Sequence, residues 1–326
     1  MYFLSSNPAE DYSFLNTDAF AKNTAAILAL IEIPTHVFVG CLIIFKTPKA
    51  MGNVKWFMIN LHFWSSLTDV TFNVLLVPYM LFPFTAGSLL GFLSWLGIVE
   101  SIQFTVVAIT LGMTILSILM LFENRYTFLA SSTPLYSGSR KLVIVIIHII
   151  TIIYTVPFSL QVPDQNVVVP VVLKQLPTLR CFYNGSVYVY SLNSSAMTRI
   201  MMIKLMFEFT FLCVLVYLTN RILLKQHESS MLSSTTKALQ REFFTSIIIQ
   251  TVIPIFILLF PLSYFGYSLY RDYFNQKFNN FAVSVISSHG FISTIAILFI
   301  HRPYRAVLFR TAPRSTVKIT LSTMKN

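Results

Sequence analysis

FTVVAITLGMTILSILMLFENRY, residues Phe104 to Tyr126, is the stretch from which the fold is read. Its first 19 or so residues are apolar and uncharged, and roughly 20 helical residues cross the ~30 Å hydrocarbon core of a bilayer. A backbone in lipid has no water to bond, so a run of this length satisfies its own N–H and C=O groups as a helix. The cluster that ends it, Glu123-Asn124-Arg125-Tyr126, then lies at a membrane face.

The rest of the chain has the same character. Of its 326 residues 55% are hydrophobic and only 11% charged, with a mean hydropathy of +0.71; a soluble domain carries about 25% charge. Six further apolar runs flank the quoted one, at about 24–45, 56–84, 142–160, 200–224, 243–267 and 278–300, and the quoted run itself extends from about Phe92 to Phe122. The expectation is an all-α membrane protein, a bundle of seven transmembrane helices over residues 24–300, with a tail of 23 residues before it and a basic tail at 301–326. The first residues lack a basic start followed by an apolar core, so the first span is expected to direct its own insertion. Pro254 and Pro261 in the sixth run and Pro157 in the fourth are expected to kink their helices.

Charge placement sets the orientation. Sixteen of the 23 Lys and Arg fall in the connections after the first, third and fifth runs and in the terminal tail, among them Lys46, Arg125, Arg140, Arg221, Lys237, Arg302 and Arg305. By the positive-inside rule these segments are cytoplasmic and the N-terminus is outside. The same topology puts both Asn-x-Ser/Thr sequons, at Asn184 and Asn193, on the outer side, where N-glycosylation occurs. The net charge of +11 therefore records topology rather than nucleic-acid binding.

Ionisable groups inside spans cost about 2.5–3.5 kcal/mol each at the centre and face the bundle interior. Glu32, Asp69, Glu100, Glu208 and His289 are the candidates for lining a ligand pocket, with His36, His62 and His148 also in spans; each can equally serve as polar glue between helices. Arg125 is expected to pair with Glu123 or a neighbouring helix at rest and to turn towards a partner on rearrangement, with Tyr126 beside it. Tyr304, Val307 and Leu308, spaced i, i+3, i+4 after His301-Arg302-Pro303, suit a helix lying along the membrane. HExxH, GxSxG, phosphate-cradling Gly-rich loops and paired cysteines are absent, and the histidines lack metal-ligand spacing, so no enzymatic activity, cofactor or metal is expected. Cys41, Cys181 and Cys213 build no disulfide framework.

The stretch IIFKTPKAMGNVKWFMINLHFWSSLTDVTFNVLLVPYMLFP (Ile43 to Pro83), FENR at Phe122 to Arg125 and HRPYR at His301 to Arg305 resemble the nematode serpentine chemoreceptors of class H. The resemblance implies a G-protein-coupled receptor, embedded in membrane lipid at the plasma membrane of sensory cilia, that detects a small odorant- or pheromone-like molecule and signals to a heterotrimeric G protein. It sets Glu123, Arg125 and Tyr126 where rhodopsin-like receptors carry an acid-Arg-Tyr motif, here with Asn124 intervening, and Asp69 where those receptors bind sodium. The seventh run lacks Asn-Pro-x-x-Tyr. Two other classes compete. A seven-span ligand-gated channel of inverted topology is opposed by the charges and sequons, and a transporter would show repeated halves with broken helices.

Overall fold

The computed structural model of the chain describes residues 13–47, 54–130, 140–155, 162–176, 179, 183–191, 195–228, 233–300 and 302–309. Helices occupy all seven apolar runs. The first is α1 (Asp18–Lys46), which starts earlier than its hydropathy because the Thr17 side chain accepts from the Phe20 N–H and caps it. Next come α2 (Val54–Val70), α3 (Glu100–Leu129) and α4 (Arg140–Ile153). A short α5 (Gln165–Gln175) lies in the long connection that follows. The remaining spans are α6 (Ser195–Glu228), α7 (Ser234–Arg271) and a seventh divided into α8 (Gln276–Ser287) and α9 (His289–Ile300); α10 (Arg302–Leu308) follows.

Five of these helical stretches, the first, third, fifth, sixth and seventh, are long and apolar enough to cross a membrane. The second reaches its length by adding a wider π turn, Thr71–Leu76, to α2. The fourth is shorter within the described residues, and Pro157 lies outside them. Burial is inverted relative to a soluble protein: Leu30 is 76% and Phe207 72% exposed on helix flanks, whereas Glu32 and Asp69 are each 1% exposed. Lipid solvates the former and the bundle encloses the latter.

One apolar core joins six of the spans through residues such as Ile43, Met58, Phe122, Leu215, Ile247 and Ile297. The fourth span instead packs Ile144 and Ile147 on Met113, Leu116 and Met120 of α3.

The all-α expectation holds for the bundle but not for the connections at one end. The second helix stops at Leu76, before the expected limit near Phe84, because Val77 turns left-handed at φ 43° and its N–H caps back to the Phe72 carbonyl. The apolar residues beyond form a hairpin, β1 (Pro78–Met80) and β2 (Thr85–Leu89), which β3 (Tyr188–Ser191) completes as a three-stranded antiparallel sheet of order β1-β2-β3. Pro78 pairs with Leu89, and Ala86 with Val189 across a bulge.

A second core forms under the sheet, where Tyr79, Leu81 and Val189 meet Val168 and Val172 of α5 and Leu176 just after it. Gln165 clasps Val189 from both sides: its Oε1 accepts from the Val189 N–H at 2.9 Å, and its Nε2 donates to the carbonyl at 3.0 Å. The start of α8 holds the assembly to the bundle. Gln276 donates to Met80 O, Asn279 to Phe82 O and Asn280 to Leu15 O.

Candidate functional site

The seventh span breaks at Ser288, so the first N–H groups of α9 have no partner within their own helix. Asp69 of α2 meets them. Its Oδ1 accepts from the Gly290 N–H at 3.1 Å and lies 3.3 Å from His289 Nδ1. A carboxylate at a helix N-terminus is favoured by the partial positive charge there. Gly290 is required by this approach, since a Cβ on it would come within 2.6 Å of Asp69 Oδ2 and 2.7 Å of the Ser65 carbonyl.

The other Asp69 oxygen, Oδ2, is 3.1 Å from His36 Nε2 on α1, and the opposite ring nitrogen, Nδ1, is 3.0 Å from the Thr294 hydroxyl on α9. One helical turn away on α1, Glu32 accepts from the Asn73 amide through Oε2 at 2.7 Å, and the same amide donates to the Ser287 carbonyl at 3.1 Å. Glu32 Oε1 is buried and has no hydrogen-bond partner. His62 extends the network by bonding the His36 carbonyl at 2.9 Å. The first, second and seventh spans are thus joined by a buried polar cluster containing two carboxylates and three imidazoles.

Three of the five candidate ligand residues, Glu32, Asp69 and His289, are brought together here. Glu208 is elsewhere, accepting from Lys204 at 2.5 Å, one turn away on α6, and Lys204 in turn lies 4.8 Å from the Tyr154 ring of the fourth-span segment. Glu100 begins α3 beneath β3, where its charge reaches Tyr188 and Tyr190. Burial first, then Tyr188 and Glu100, holds the Tyr190 phenol above its usual pKa. His36, which hydropathy places in the first span but not among the candidate ligand residues, is also a member of the cluster. Its spacing of four from Glu32, which sets both on one face of α1, is the signal that finds it.

At the opposite end of α3, Glu123 and Arg125 do not meet, because residues two apart on a helix face different directions. Glu123 is 3% exposed and takes Nε and Nη2 of Arg140 from α4 at 3.0 and 2.7 Å, plus the Thr127 hydroxyl at 2.7 Å. Asn124 accepts from Arg140 as well, at 3.3 Å. Arg125 is 5% exposed, donates to the Gln240 carbonyl on α7 at 3.1 Å and lies over the Phe128 ring. Tyr126 rests against the main core. Tyr304 of α10 turns into that core and bonds the Thr47 hydroxyl at 2.7 Å, whereas Val307 and Leu308 stay exposed. Asn184 is exposed beside β3, while Asn193, Cys181 and His301 lie outside the described residues.

The profile of the serpentine type 7TM GPCR chemoreceptor Srh family matches residues 16–314. Serpentine receptor class H-72 of Caenorhabditis elegans is 27% identical over 291 residues, covering 86% of this chain and 81% of that protein. With its helical bundle and apolar spans, the chain is an integral multi-pass membrane protein that belongs to the serpentine seven-transmembrane chemoreceptor family Srh.

Proposed function

We propose that the chain is a G-protein-coupled chemosensory receptor that binds a small external molecule at the sheet end of the bundle and engages a heterotrimeric G protein at the Arg125 end. The N-terminus and the sheet are then outside, the tail is cytoplasmic, and the receptor works at the plasma membrane of sensory cilia. Asn184 and Asn193 are its glycosylation sites. Glu100 and Glu208 are the ligand contacts nearer the sheet, and Glu32, Asp69 and His289 form the deeper end of the same site.

The observation that carries this reading is the Arg125 bond to the Gln240 carbonyl, which ties the third span to the sixth. A bond between two separate helices is a two-state element: it holds while α7 stays against α3 and is released if α7 swings away. A ligand drives that shift only through unequal affinity for the two arrangements. Glu123, fixed by Arg140, stays in place as Arg125 moves.

The test is a screen of small volatile and water-soluble compounds on cells expressing the full chain, read by dissociation of a heterotrimeric G protein. An active compound should dissociate the G protein with the intact chain and fail to do so with Arg125→Ala, although the variant reaches the cell surface. A compound that instead evokes a membrane current in cells lacking G proteins would overturn the reading in favour of a channel.

A further inference from the structure

We propose that Glu32, His36 and Asp69 form a binding site for a divalent transition-metal ion of the zinc type, which joins the first and second spans and acts on the seventh through Gly290. The inference concerns the deeper end of the proposed ligand site but does not depend on G-protein coupling. One ligand atom from each of the three side chains can be chosen so that all lie within 4.8 Å of one another. A zinc ion with bonds of about 2.0–2.2 Å places tetrahedral ligand atoms roughly 3.4 Å apart, so a small rotation of Glu32 closes the set. Three protein ligands leave a fourth position for water or an external ligand.

Two further observations point to a cation. Glu32 Oε1 is buried with no hydrogen-bond partner, in a residue that is 1% exposed. Its neighbour Asp69 is also 1% exposed, and two carboxylates enclosed this closely in a span call for positive charge between them. The imidazole decides the class of ion. Sodium, magnesium and calcium take oxygen ligands, whereas nitrogen together with carboxylate oxygen suits zinc and its neighbours.

The surroundings are those of a ligating histidine. With Nε2 on the metal, His36 Nδ1 carries the proton and donates it to Thr294 Oγ1, the outer hydrogen bond that fixes the tautomer and ring orientation of metal-bound imidazoles. Asp69 is oriented in the same way by the Gly290 N–H, and Glu32 by the Asn73 amide. Metal binding draws α1 to α2 and, through Asp69, fixes the break in the seventh span. It stabilises this one arrangement of the bundle.

The experiment uses the full chain in lipid nanodiscs, stripped with a chelator and titrated with zinc chloride against a chromophoric competitor, with thermal unfolding followed in parallel. The expected result is one zinc ion per chain and a rise in Tm. Thr294→Val should weaken binding about 10- to 100-fold. Glu32→Gln and His36→Gln should weaken it at least as much, and His148→Gln, on the fourth span, should leave it unchanged. The Tm of each variant without metal separates lost binding from lost folding. If Glu32→Gln does not fold, X-ray absorption at the zinc edge of the intact chain decides: imidazole and carboxylate ligands support the site, and sulfur ligands from Cys41 or Cys213 overturn it. Equal binding by all variants, or sodium raising Tm without competition from zinc, would also overturn it. None of these readouts involves a G protein, so failure here leaves the receptor reading standing, and a receptor that does not signal leaves the zinc titration intact.

Discussion

Asp69 of the second span caps the interrupted seventh span by accepting the Gly290 N–H at 3.1 Å. Through this bond the break at Ser288 becomes a junction between helices, and the same carboxylate reaches His36 on the first span. Any rearrangement of the seventh span is felt at Asp69, and any ligand that alters Asp69 is felt at the seventh span.

Gly290→Ala should therefore destabilise the bundle. A Cβ there meets both the Asp69 carboxylate and the Ser65 backbone carbonyl, so the helices must shift at a cost of about 1–3 kcal/mol. Gly266→Ala on α7, where nothing lies within 4 Å, should be neutral or stabilising by up to about 1 kcal/mol through helix propensity. Thermal unfolding of the two variants in nanodiscs checks the contrast. Equal effects would mean that the close approach to Asp69 does not restrain the seventh span.

Arg140→Ala should lower stability by about 2 kcal/mol, less than the ~3–5 kcal/mol for breaking a fully buried pair, because the Arg140 side chain is 26% exposed. The removed guanidinium is the one that holds Glu123. Adding Glu123→Gln should recover part of the loss, giving a coupling energy in a double-mutant cycle. Additive losses would show that the pair contributes nothing.

Hydropathy made the bundle legible but not the sheet. The residues from Val77 to Leu90 are as apolar as a span, so the sequence reads as one run to Phe84; only Pro78 and Pro83 hint at the hairpin. Length and apolarity report how much surface avoids water, not which backbone conformation carries it. The sequence marks Glu123 as an acid at a membrane face, but its partner Arg140 lies 17 residues on, across a connection, and no spacing rule reaches it. The cluster of Glu32, Asp69 and His289 requires three helices to be brought together, which the separate runs do not specify. His36 alone could have been added, from its i, i+4 relation to Glu32.

The sheet assembly should weaken in alkali. Burial first, and then the charges of Asp18 and Tyr183, raise the Tyr79 phenol above its ordinary pKa of about 10. Unfolding frees it to ionise, so stability is fully present below pH ~10 and is lost as pH rises beyond that. At pH 8 Tyr79→Phe should cost about 1 kcal/mol through the lost hydrogen bond to the Asn16 carbonyl, and by pH 11 the difference from the intact chain should shrink. Thermal unfolding at the two pH values reads both effects; a constant difference would contradict the account.

Asn184→Gln should remove one glycan from the protein made in secretory-competent cells, seen as faster gel migration that glycosidase treatment equalises. Asn184 is exposed beside β3, at the end of the bundle proposed to face outward. Unchanged migration of the variant, with the intact chain insensitive to glycosidase, would mean that Asn184 carries no glycan.

The orientation of the bundle decides whether Arg125 can meet a G protein at all. Epitope tags before Met1 and after Asn326, probed with antibody on intact and then permeabilised cells, measure it directly. The N-terminal tag should stain intact cells, and the C-terminal tag should stain only after permeabilisation. The reverse pattern would place Arg125, Glu123 and Arg140 outside the cell and contradict G-protein coupling through that end.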